Sequence, residues 1–297
     1  MKRIEIRHVT QYVFASPVRL GSHTLLLRPR EGHDLRIASS SLNIAPQASV
    51  TWRRDFYDNV LAIAAFGSNA VSELLVESQV EAELYDTMPL DFIVEDHAVR
   101  FPMVYEGEER IALRPYLEFA YDNEKRLADW LAPFRQLPAQ TETYGVLDRL
   151  NQRIHTSFAY EAREAEGVLP PSELLRLGKG SCRDLATLFL EACRHLGIAA
   201  RFVSGYVHGP ETEAGGAASH SWAEVYLPGA GWKGFDPTVA LVVGPDHIPV
   251  AVHRHPEAVP PIAGTFTGPE NLPQTLAVDV RINQLPDVTD SFESSTR

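Results

Sequence analysis

The sequence predicts an α+β fold, in which an antiparallel β-sandwich is followed by helices packed on an antiparallel sheet. Residues 76–84 alternate between small or apolar and polar side chains, which is the period of a strand with one buried face. From residue 122 the apolar residues recur every three or four positions, which is the period of a helix. Strand signals return after residue 197. Strands gathered in one part of a chain and helices in another are typical of α+β proteins.

Residues 1–120 are predicted to form the sandwich, as an N-terminal domain. Short apolar runs lie before the alternating segment, and turn signals such as Ser16-Pro17 and Asp58-Asn59 separate them. Antiparallel strands joined by turns of this kind bury one face and leave the other in water.

The periodicity after the sandwich predicts one helix over 122–135, a second around 147–154 and a short third at 171–177. A strand is expected at 198–207 and another at 276–282.

The remaining segments lack periodicity. Residues 208–219 are polar and rich in glycine, which is typical of a flexible rim or lid. A catalytic domain is predicted for residues 121–285, followed by a flexible tail at 286–297 that is rich in serine, threonine and aspartate.

Cys182 is the most informative residue of the chain. Ser181, followed three residues later by Asp184, has the pattern of a capping box, which makes Cys182 the first residue of a helix. The positive end of the helix dipole and the neighbouring cations Lys179 and Arg183 favour thiolate over thiol. The pattern therefore indicates a nucleophilic sulfur.

The second cysteine, Cys193, lies on the same predicted helix, eleven residues further along. At about 1.5 Å of rise per residue the two cysteines are roughly 16 Å apart. A disulfide needs Cα atoms within about 7 Å. Cys193 is therefore interpreted as a small buried apolar residue, which leaves Cys182 a free thiol.

His220 and Asp236 complete a candidate triad with this thiol. Residues 220–227 alternate like a strand, 228–231 form a turn, and the return strand follows. A histidine in this position can act as base for the thiol, and an aspartate can orient the imidazole and stabilise its charged form. A four-residue connection pairs Asp236 with Ala223, so a bulge or strong twist is expected to bring Asp236 to His220.

Four motifs, in this order, resemble the core of the bacterial transglutaminase-like superfamily. They are Gly-Lys-Gly-Ser-Cys-Arg-Asp at 178–184, Arg-Phe-Val-Ser-Gly-Tyr at 201–206, His-Ser-Trp-Ala-Glu at 220–224 and Gly-Trp-Lys-Gly-Phe-Asp-Pro-Thr at 231–238. The resemblance implies a papain-like core with Cys182, His220 and Asp236 as the catalytic triad. The N-terminal third is similar to the β-rich region that precedes this core in the family.

Two aromatic residues are further candidates for the site. Tyr160 is a candidate donor to an oxyanion, beside the backbone N–H of Cys182, and simple packing explains it as well. Trp222 lies on the same strand face as His220. The resemblance implies that Trp222 covers the His–Asp hydrogen bond, and core packing is the alternative.

A metal site is the competing use of cysteine, histidine and aspartate. The set lacks a fourth ligand at recognisable spacing, so no metal and no other cofactor is predicted. His247, His253 and His255 look like a metal-binding tract but are interpreted as polar surface residues.

The net charge of −12 argues against a nucleic-acid partner and against an anionic membrane surface. The sequence contains no apolar run of about 18 residues, the length that spans a bilayer. Residues 1–8 lack the apolar run of a secretory signal. We therefore expect a cytoplasmic protein, and the sequence does not predict its oligomeric state.

The predicted function is thiol-dependent acyl transfer on amide bonds of peptides or proteins. Completion by water makes the protein a cysteine peptidase or amidase, and completion by a lysine-type amine makes it a protein-glutamine transglutaminase. Hydrolysis is favoured because nothing suggests a calcium site and the glycine-rich rim offers no evident means of excluding water. A catalytically silent binding module is a third alternative, against which the intact Cys-His-Asp set argues.

Overall fold

The α+β fold class is confirmed by the computed structural model of the chain. The model describes residues 1–85, 88, 90–122, 125–138, 140–163, 165–209, 219–270 and 272–286. The predicted rim falls mostly on 210–218 and the predicted tail almost wholly on 287–297, so both lie outside the described residues. The division into two domains at residue 120 stays a prediction.

Two antiparallel layers that share one long strand form the N-terminal sandwich. The strands of its first part are β1 (Lys2–Leu25), β2 (Leu35–Ala45), β3 (Ala48–Arg54), β4 (Val60–Phe66) and β5 (Val71–Leu84). The first half of β1 pairs with β5 and its second half pairs with β4. Apolar side chains of both halves of β1, of β4 and of β5 pack between the layers, among them Phe14, Leu25, Ala64 and Leu74.

The predicted turn at Ser16-Pro17 is wrong, because β1 runs through it. The register between β1 and β5 is interrupted between Val13 and Val18, where the strand passes from one layer to the other. Proline has no N–H to give to a ladder and is tolerated where the pairing is broken. The turn signal at Asp58-Asn59 falls in the connection from β3 to β4, as predicted.

Helices follow the sandwich along the chain and lead to Cys182. They are α1 (Asp96–Val99), α2 (Gly107–Ala112), α3 (Arg114–Leu117), α4 (Lys125–Trp130), α5 (Ala132–Arg135), α6 (Thr143–Ser157), α7 (Pro171–Leu177) and α8 (Cys182–His195). The single helix predicted over 122–135 is wrong, since α4 and α5 are separate. Pro133 lies in the first turn of α5, where its missing N–H and its ring interrupt a continuous helix.

A five-stranded antiparallel sheet packs against α8. A short parallel pair, β6 (Ala159–Tyr160) and β7 (Lys179–Gly180), leads into that helix. The sheet itself is made of β8 (Ala200–Val207), β9 (Ser219–Leu227), β10 (Gly231–Asp236), β11 (Leu241–Val242) and β12 (His247–His253). Its spatial order is β11-β10-β9-β8-β12, so β12 crosses back to lie beside β8.

Two strands near the end of the described chain return to the sandwich. They are β13 (Ile262–Thr267) and β14 (Gln274–Gln284), and the second confirms the strand predicted at 276–282. β13 pairs with the second half of β1, and β14 pairs with the first half. The C-terminal strands β13 and β14 therefore complete the sandwich by pairing with the first strand of the chain.

One apolar core joins the sandwich to the helices. Ile4 and Ile6 of β1 and Ile282 of β14 share a buried cluster with residues of α8 such as Leu188 and Phe189. The two regions therefore pack on each other through a continuous interface. Within the described residues, no helix combines the length and the apolar character that crossing a bilayer requires.

Candidate active site

Cys182 is the first residue of α8, as predicted, and Ser181 is its N-cap with Asp184 in a capping box. The Cys182 side chain is partly exposed, whereas Cys193 is fully buried, and both are free thiols. Burial raises the pKa of Cys193 well above its ordinary value. The thiol that is accessible to a substrate is therefore the one at the positive end of the helix.

The Asp184 carboxylate ties the start of α8 to the loop before it. One of its oxygens accepts hydrogen bonds from the Ser181 backbone N–H at 2.9 Å and the Ser181 hydroxyl at 2.8 Å. The other accepts the Leu169 N–H at 2.8 Å, and Arg163 donates to both oxygens at 3.2 and 3.3 Å. Burial acts to raise the pKa of this carboxyl, but the surrounding donors outweigh burial and lower it. The charged carboxylate fixes the backbone that carries Cys182.

The loop between β9 and β10 has three residues, 228–230, where four were predicted. Gly231 already pairs with Leu227 across the hairpin. Gly229 and Gly231 have backbone φ angles of 82° and 74°, and such left-handed positions are typical of three-residue hairpin loops.

The shorter loop changes the face on which Asp236 lies. Phe235, rather than Asp236, is the residue opposite Ala223, and the pairing runs from Gly231 to Phe235 without a register shift. Because side chains alternate along a strand, Asp236 lies on the same face of the sheet as His220. The expected register and the expected bulge are therefore wrong, and ordinary strand geometry brings the two residues together.

The His220 imidazole bridges the carboxylate and the thiol. Its Nε2 lies 2.6 Å from Asp236 Oδ2, and the Cys182 side chain forms a hydrogen bond with the same ring. Burial lowers the pKa of His220, but the hydrogen bonds and charges of Asp236 and Cys182 outweigh burial and raise it to about 10. The ring is therefore protonated at neutral pH and faces the sulfur as a cation.

Asp236 is almost completely buried, with 1% of its side chain exposed. Its Oδ2 also lies 3.2 Å from His247 Nε2, and its Oδ1 accepts the Thr238 backbone N–H at 2.9 Å. Burial acts to raise the pKa of Asp236, but the hydrogen bonds of His220 and His247 and their charges lower it instead. Asp236 is therefore a carboxylate at neutral pH.

His247 is the residue of this site that the sequence did not reveal. Its interpretation as a polar surface residue is wrong, since only 8% of its side chain is exposed and its ring contacts Asp236. It is the first residue of β12, which reaches the site only because that strand pairs with β8. The one sequence signal is a histidine at the start of an apolar strand, directly after the turn Gly244-Pro245-Asp246.

The two aromatic candidates both lie near the three candidate residues. Trp222 is fully buried and stacks on His220, with ring centroids 6.3 Å apart and planes inclined by 29°. Tyr160 is 54% exposed. Burial and the charge of Cys182 raise the pKa of Tyr160, so its phenol lies near the thiol and carries its proton.

A cleft of about 570 Å³ opens at the thiol, between the sandwich and the helices. Cys182, His220 and Arg183 lie on one side of it. The other side is formed by β1, β13 and β14 of the sandwich, with Tyr12 and Phe266 among the lining residues. The two regions of the chain thus enclose one site.

His220, Asp236 and His247 also offer three metal-ligand atoms within 4.8 Å of one another. Tetrahedral ligands at about 2.0–2.2 Å from a zinc ion lie roughly 3.3 Å from each other. The distance of 2.6 Å between His220 Nε2 and Asp236 Oδ2 is too short for that arrangement and suits a shared proton. The geometry fits a hydrogen-bonded triad better than a metal centre.

Cys182 thus lies partly exposed at a helix start and faces a largely buried His–Asp pair on an antiparallel sheet. Residues 134–237 match the family profile described as the transglutaminase-like superfamily, and residues 4–83 match the bacterial transglutaminase-like N-terminal region. The chain therefore carries a transglutaminase-like core over the first of these segments and the bacterial transglutaminase-like N-terminal region over the second.

Several known proteins are similar to the chain. A segment of 145 residues is 34% identical to an uncharacterized protein of Mycobacterium tuberculosis. The match covers 46% of this chain and 46% of that relative, so the chain spans about half the length of the relative. An uncharacterized protein of Mycobacterium leprae is 25% identical over 286 residues, which is 90% of this chain and 94% of that one. The crystal structure of a candidate cysteine protease from Cytophaga hutchinsonii superposes with a TM-score of 0.71 at 17% identity, covering 96% of this chain and 91% of that one. At that identity the likeness concerns the fold.

Proposed function

We propose that the protein is a thiol-dependent acyl-transfer enzyme that hydrolyses amide bonds of peptides or proteins. Cys182 acts as nucleophile, His220 as general base and acid, and Asp236 as the group that orients the imidazole. The observation that carries the proposal is the imidazole held between a partly exposed thiol and a buried carboxylate, with a pKa raised to about 10.

The first half of the reaction forms a thioester. The Cys182 thiolate attacks the amide carbonyl carbon, so that a C–S bond forms and the carbonyl electron pair moves to oxygen. The oxyanion accepts hydrogen bonds from the backbone N–H of Cys182 and from the Tyr160 hydroxyl, which stays protonated beside the thiol. When the C–N bond breaks, the His220 imidazolium gives its proton to the leaving amine.

The second half of the reaction hydrolyses the thioester and releases the carboxylic acid product. The neutral His220 takes a proton from water, the hydroxide attacks the thioester carbonyl, and the C–S bond breaks to restore the ion pair of thiolate and imidazolium. Asp236 stays charged throughout and stabilises the imidazolium that each half requires. Trp222, stacked on His220, keeps water away from the hydrogen bond between His220 and Asp236.

Two observations support a polypeptide substrate and hydrolysis. The cleft at the thiol has a volume of about 570 Å³, within the usual range of ligand-binding pockets, and it is lined by both apolar and polar groups. The thiol is accessible and Tyr160 beside it is 54% exposed, so water can reach a thioester formed there. An accessible thiol also persists best in a reducing compartment, which supports the cytoplasm as the location.

A randomised peptide library, incubated with and without an excess of a biotin-labelled primary amine, tests the proposal. We expect mass spectrometry to find hydrolysed peptides in both incubations, and none with the Cys182→Ala variant. Biotinylated peptide as the dominant product would contradict hydrolysis and indicate a transglutaminase. No product from any peptide, together with alkylation of Cys182 no faster than that of a free cysteine, would indicate a silent binding module.

A further inference from the structure

His247 brings a second imidazole to the carboxylate of Asp236. It begins β12 directly after the turn at 244–247, which is closed by a hydrogen bond from the His247 N–H to the Gly244 carbonyl oxygen at 3.0 Å. Its ring packs against Trp222 in a T-shaped arrangement, with centroids 5.2 Å apart and planes at 81°. The ring is thus held by the turn on one side and by an indole on another.

The hydrogen bonds of His247 indicate which ring nitrogen carries the proton. The Gly244 backbone N–H points at Nδ1 with a separation of 3.5 Å, so Nδ1 acts as acceptor. In a neutral imidazole the other nitrogen then bears the hydrogen. Nε2–H is therefore the donor in the 3.2 Å contact with Asp236 Oδ2.

Asp236 is anchored at both of its oxygens. The Thr238 backbone N–H holds Oδ1 at 2.9 Å, while Oδ2 accepts from His247 and His220 together. Without His247, the Thr238 N–H and His220 itself are the donors that orient the carboxylate. His247 gives Oδ2 a second donor that is independent of the His220 ring.

We infer that His247 is a positioning residue, which holds the Asp236 carboxylate in register with the His220 imidazole. The inference rests on the proposed function, because it concerns the same triad. His247 is absent from the lining of the cleft at the thiol and lines a smaller cavity together with Trp222. Its effect on catalysis is therefore transmitted through Asp236 and His220.

Several other titratable or charged groups lie near His247. The carboxylate and imidazole in contact with it are Asp236 and His220. The charged or titratable residues around the smaller cavity are His33, Asp34, Glu224 and Lys233.

The test compares His247→Leu with His247→Gln and with a matched control, His253→Gln, at the other end of the same strand. Leucine fills the space without a donor, whereas the amide of glutamine can place an N–H close to the position of the imidazole Nε2. His253 contacts Tyr57 and the His255 carbonyl oxygen and does not touch the triad. Circular dichroism checks that each variant is folded.

Two readouts are measured, the rate at which iodoacetamide alkylates Cys182 at neutral pH and the NMR titration of the His220 Cε1–H. In His247→Leu we expect alkylation to slow by roughly 10- to 100-fold, the range known for outer partners that orient metal-bound histidines. The His220 midpoint should fall from about 10 toward the 6.5 of free imidazole. His247→Gln should restore the rate to within about threefold of wild type, and His253→Gln should change neither readout.

The outcomes separate this inference from the proposed function. Rapid alkylation in wild type with an unchanged rate and His220 midpoint in His247→Leu would overturn the positioning role alone. Slow alkylation in wild type would overturn the proposed function. Calorimetric titration with zinc chloride tests the competing use, since tight zinc binding that is lost in His247→Leu would overturn the positioning role in favour of a metal site.

Discussion

Replacing Asp184 by asparagine removes the charge that anchors the start of α8. The carboxylate is fully buried and accepts from Ser181, Leu169 and Arg163. The amide keeps one acceptor oxygen, so at least two of these donors face an N–H₂ group instead. The Arg163 side chain, 22% exposed, also loses its counter-ion.

The cost follows from those losses. Hydrogen bonds to charged groups contribute about 1.5–3 kcal/mol each, and breaking a buried ion pair costs about 3–5 kcal/mol. Water can reach part of Arg163, so the lower end applies and we expect a loss of about 3 kcal/mol in the free energy of unfolding. At about 2 °C per kcal/mol, the Tm should fall by about 6 °C.

Urea unfolding followed by circular dichroism at neutral pH measures the change in the Asp184→Asn variant. Glu173→Gln is the matched control, because it breaks an exposed carboxylate–arginine pair with Arg176 and should lower the free energy of unfolding far less than Asp184→Asn does. We also expect Cys182 in Asp184→Asn to be alkylated more slowly than in wild type. A free energy of unfolding within about 1 kcal/mol of wild type, with unchanged alkylation, would refute the anchoring role of Asp184.

Two further predictions concern the packing behind the site and the response to acid. A Cβ at Gly205 would lie 2.3 Å from the Ile248 carbonyl oxygen and 2.7 Å from the Trp222 ring, so Gly205→Ala should lower the free energy of unfolding by about 1–3 kcal/mol and slow alkylation of Cys182. The control is Gly145→Ala in α6, where the space around the residue is open; it should leave stability within about 1 kcal/mol, and the alkylation rate within about twofold, of wild type. Equal behaviour of the two variants in thermal melts and labelling would contradict this prediction. His8 is buried against Tyr206, and burial lowers its pKa from 6.5 to about 4. Because the folded pKa of His8 lies below its unfolded pKa, the stability that His8 contributes is present above pH 6.5 and decreases by about 3 kcal/mol as the pH falls toward 4. Chemical unfolding at several pH values should therefore show that the free energy of unfolding declines less steeply with acid in His8→Gln than in wild type. An identical decline in both proteins would show that His8 does not titrate as inferred.

Local chemistry made much of the site predictable from the sequence. The capping box at Ser181 and Asp184 depends on residues three apart, and it fixed the position of Cys182 at the helix start. The alternation around His220 located the strand that carries it. These features depend on short-range geometry, which the order of residues contains.

Other features depended on details that single residue types do not determine. Whether Gly231 closes the turn or begins the strand changes the register by one residue and therefore the face on which Asp236 lies. A proline can mark a turn or lie inside a strand, as Pro17 does at the crossing of β1 between layers. Each alternative satisfies the local pattern, and only the packed structure selects between them.

His247 could not be predicted because its role depends on a long-range contact. β12 lies beside β8, on the far side of β8 from β9, and no sequence period specifies that placement. The same is true of β13 and β14, which leave the C-terminal region to pair with β1. These returns of the chain also build the second wall of the cleft.

The measurement that tests the central claim most directly is the alkylation of Cys182 by iodoacetamide at about pH 6, in wild type and in His220→Ala and Asp236→Asn. An ordinary cysteine with a pKa near 8.5 is only roughly 0.3% thiolate at that pH. If His220 and Asp236 hold Cys182 as an ion pair, wild type should react at least about tenfold faster than free cysteine, and both variants should react at about the free rate. Buried Cys193 should stay unlabelled and report that the fold is intact. Wild-type labelling at the rate of free cysteine, or undiminished labelling in His220→Ala, would contradict the account.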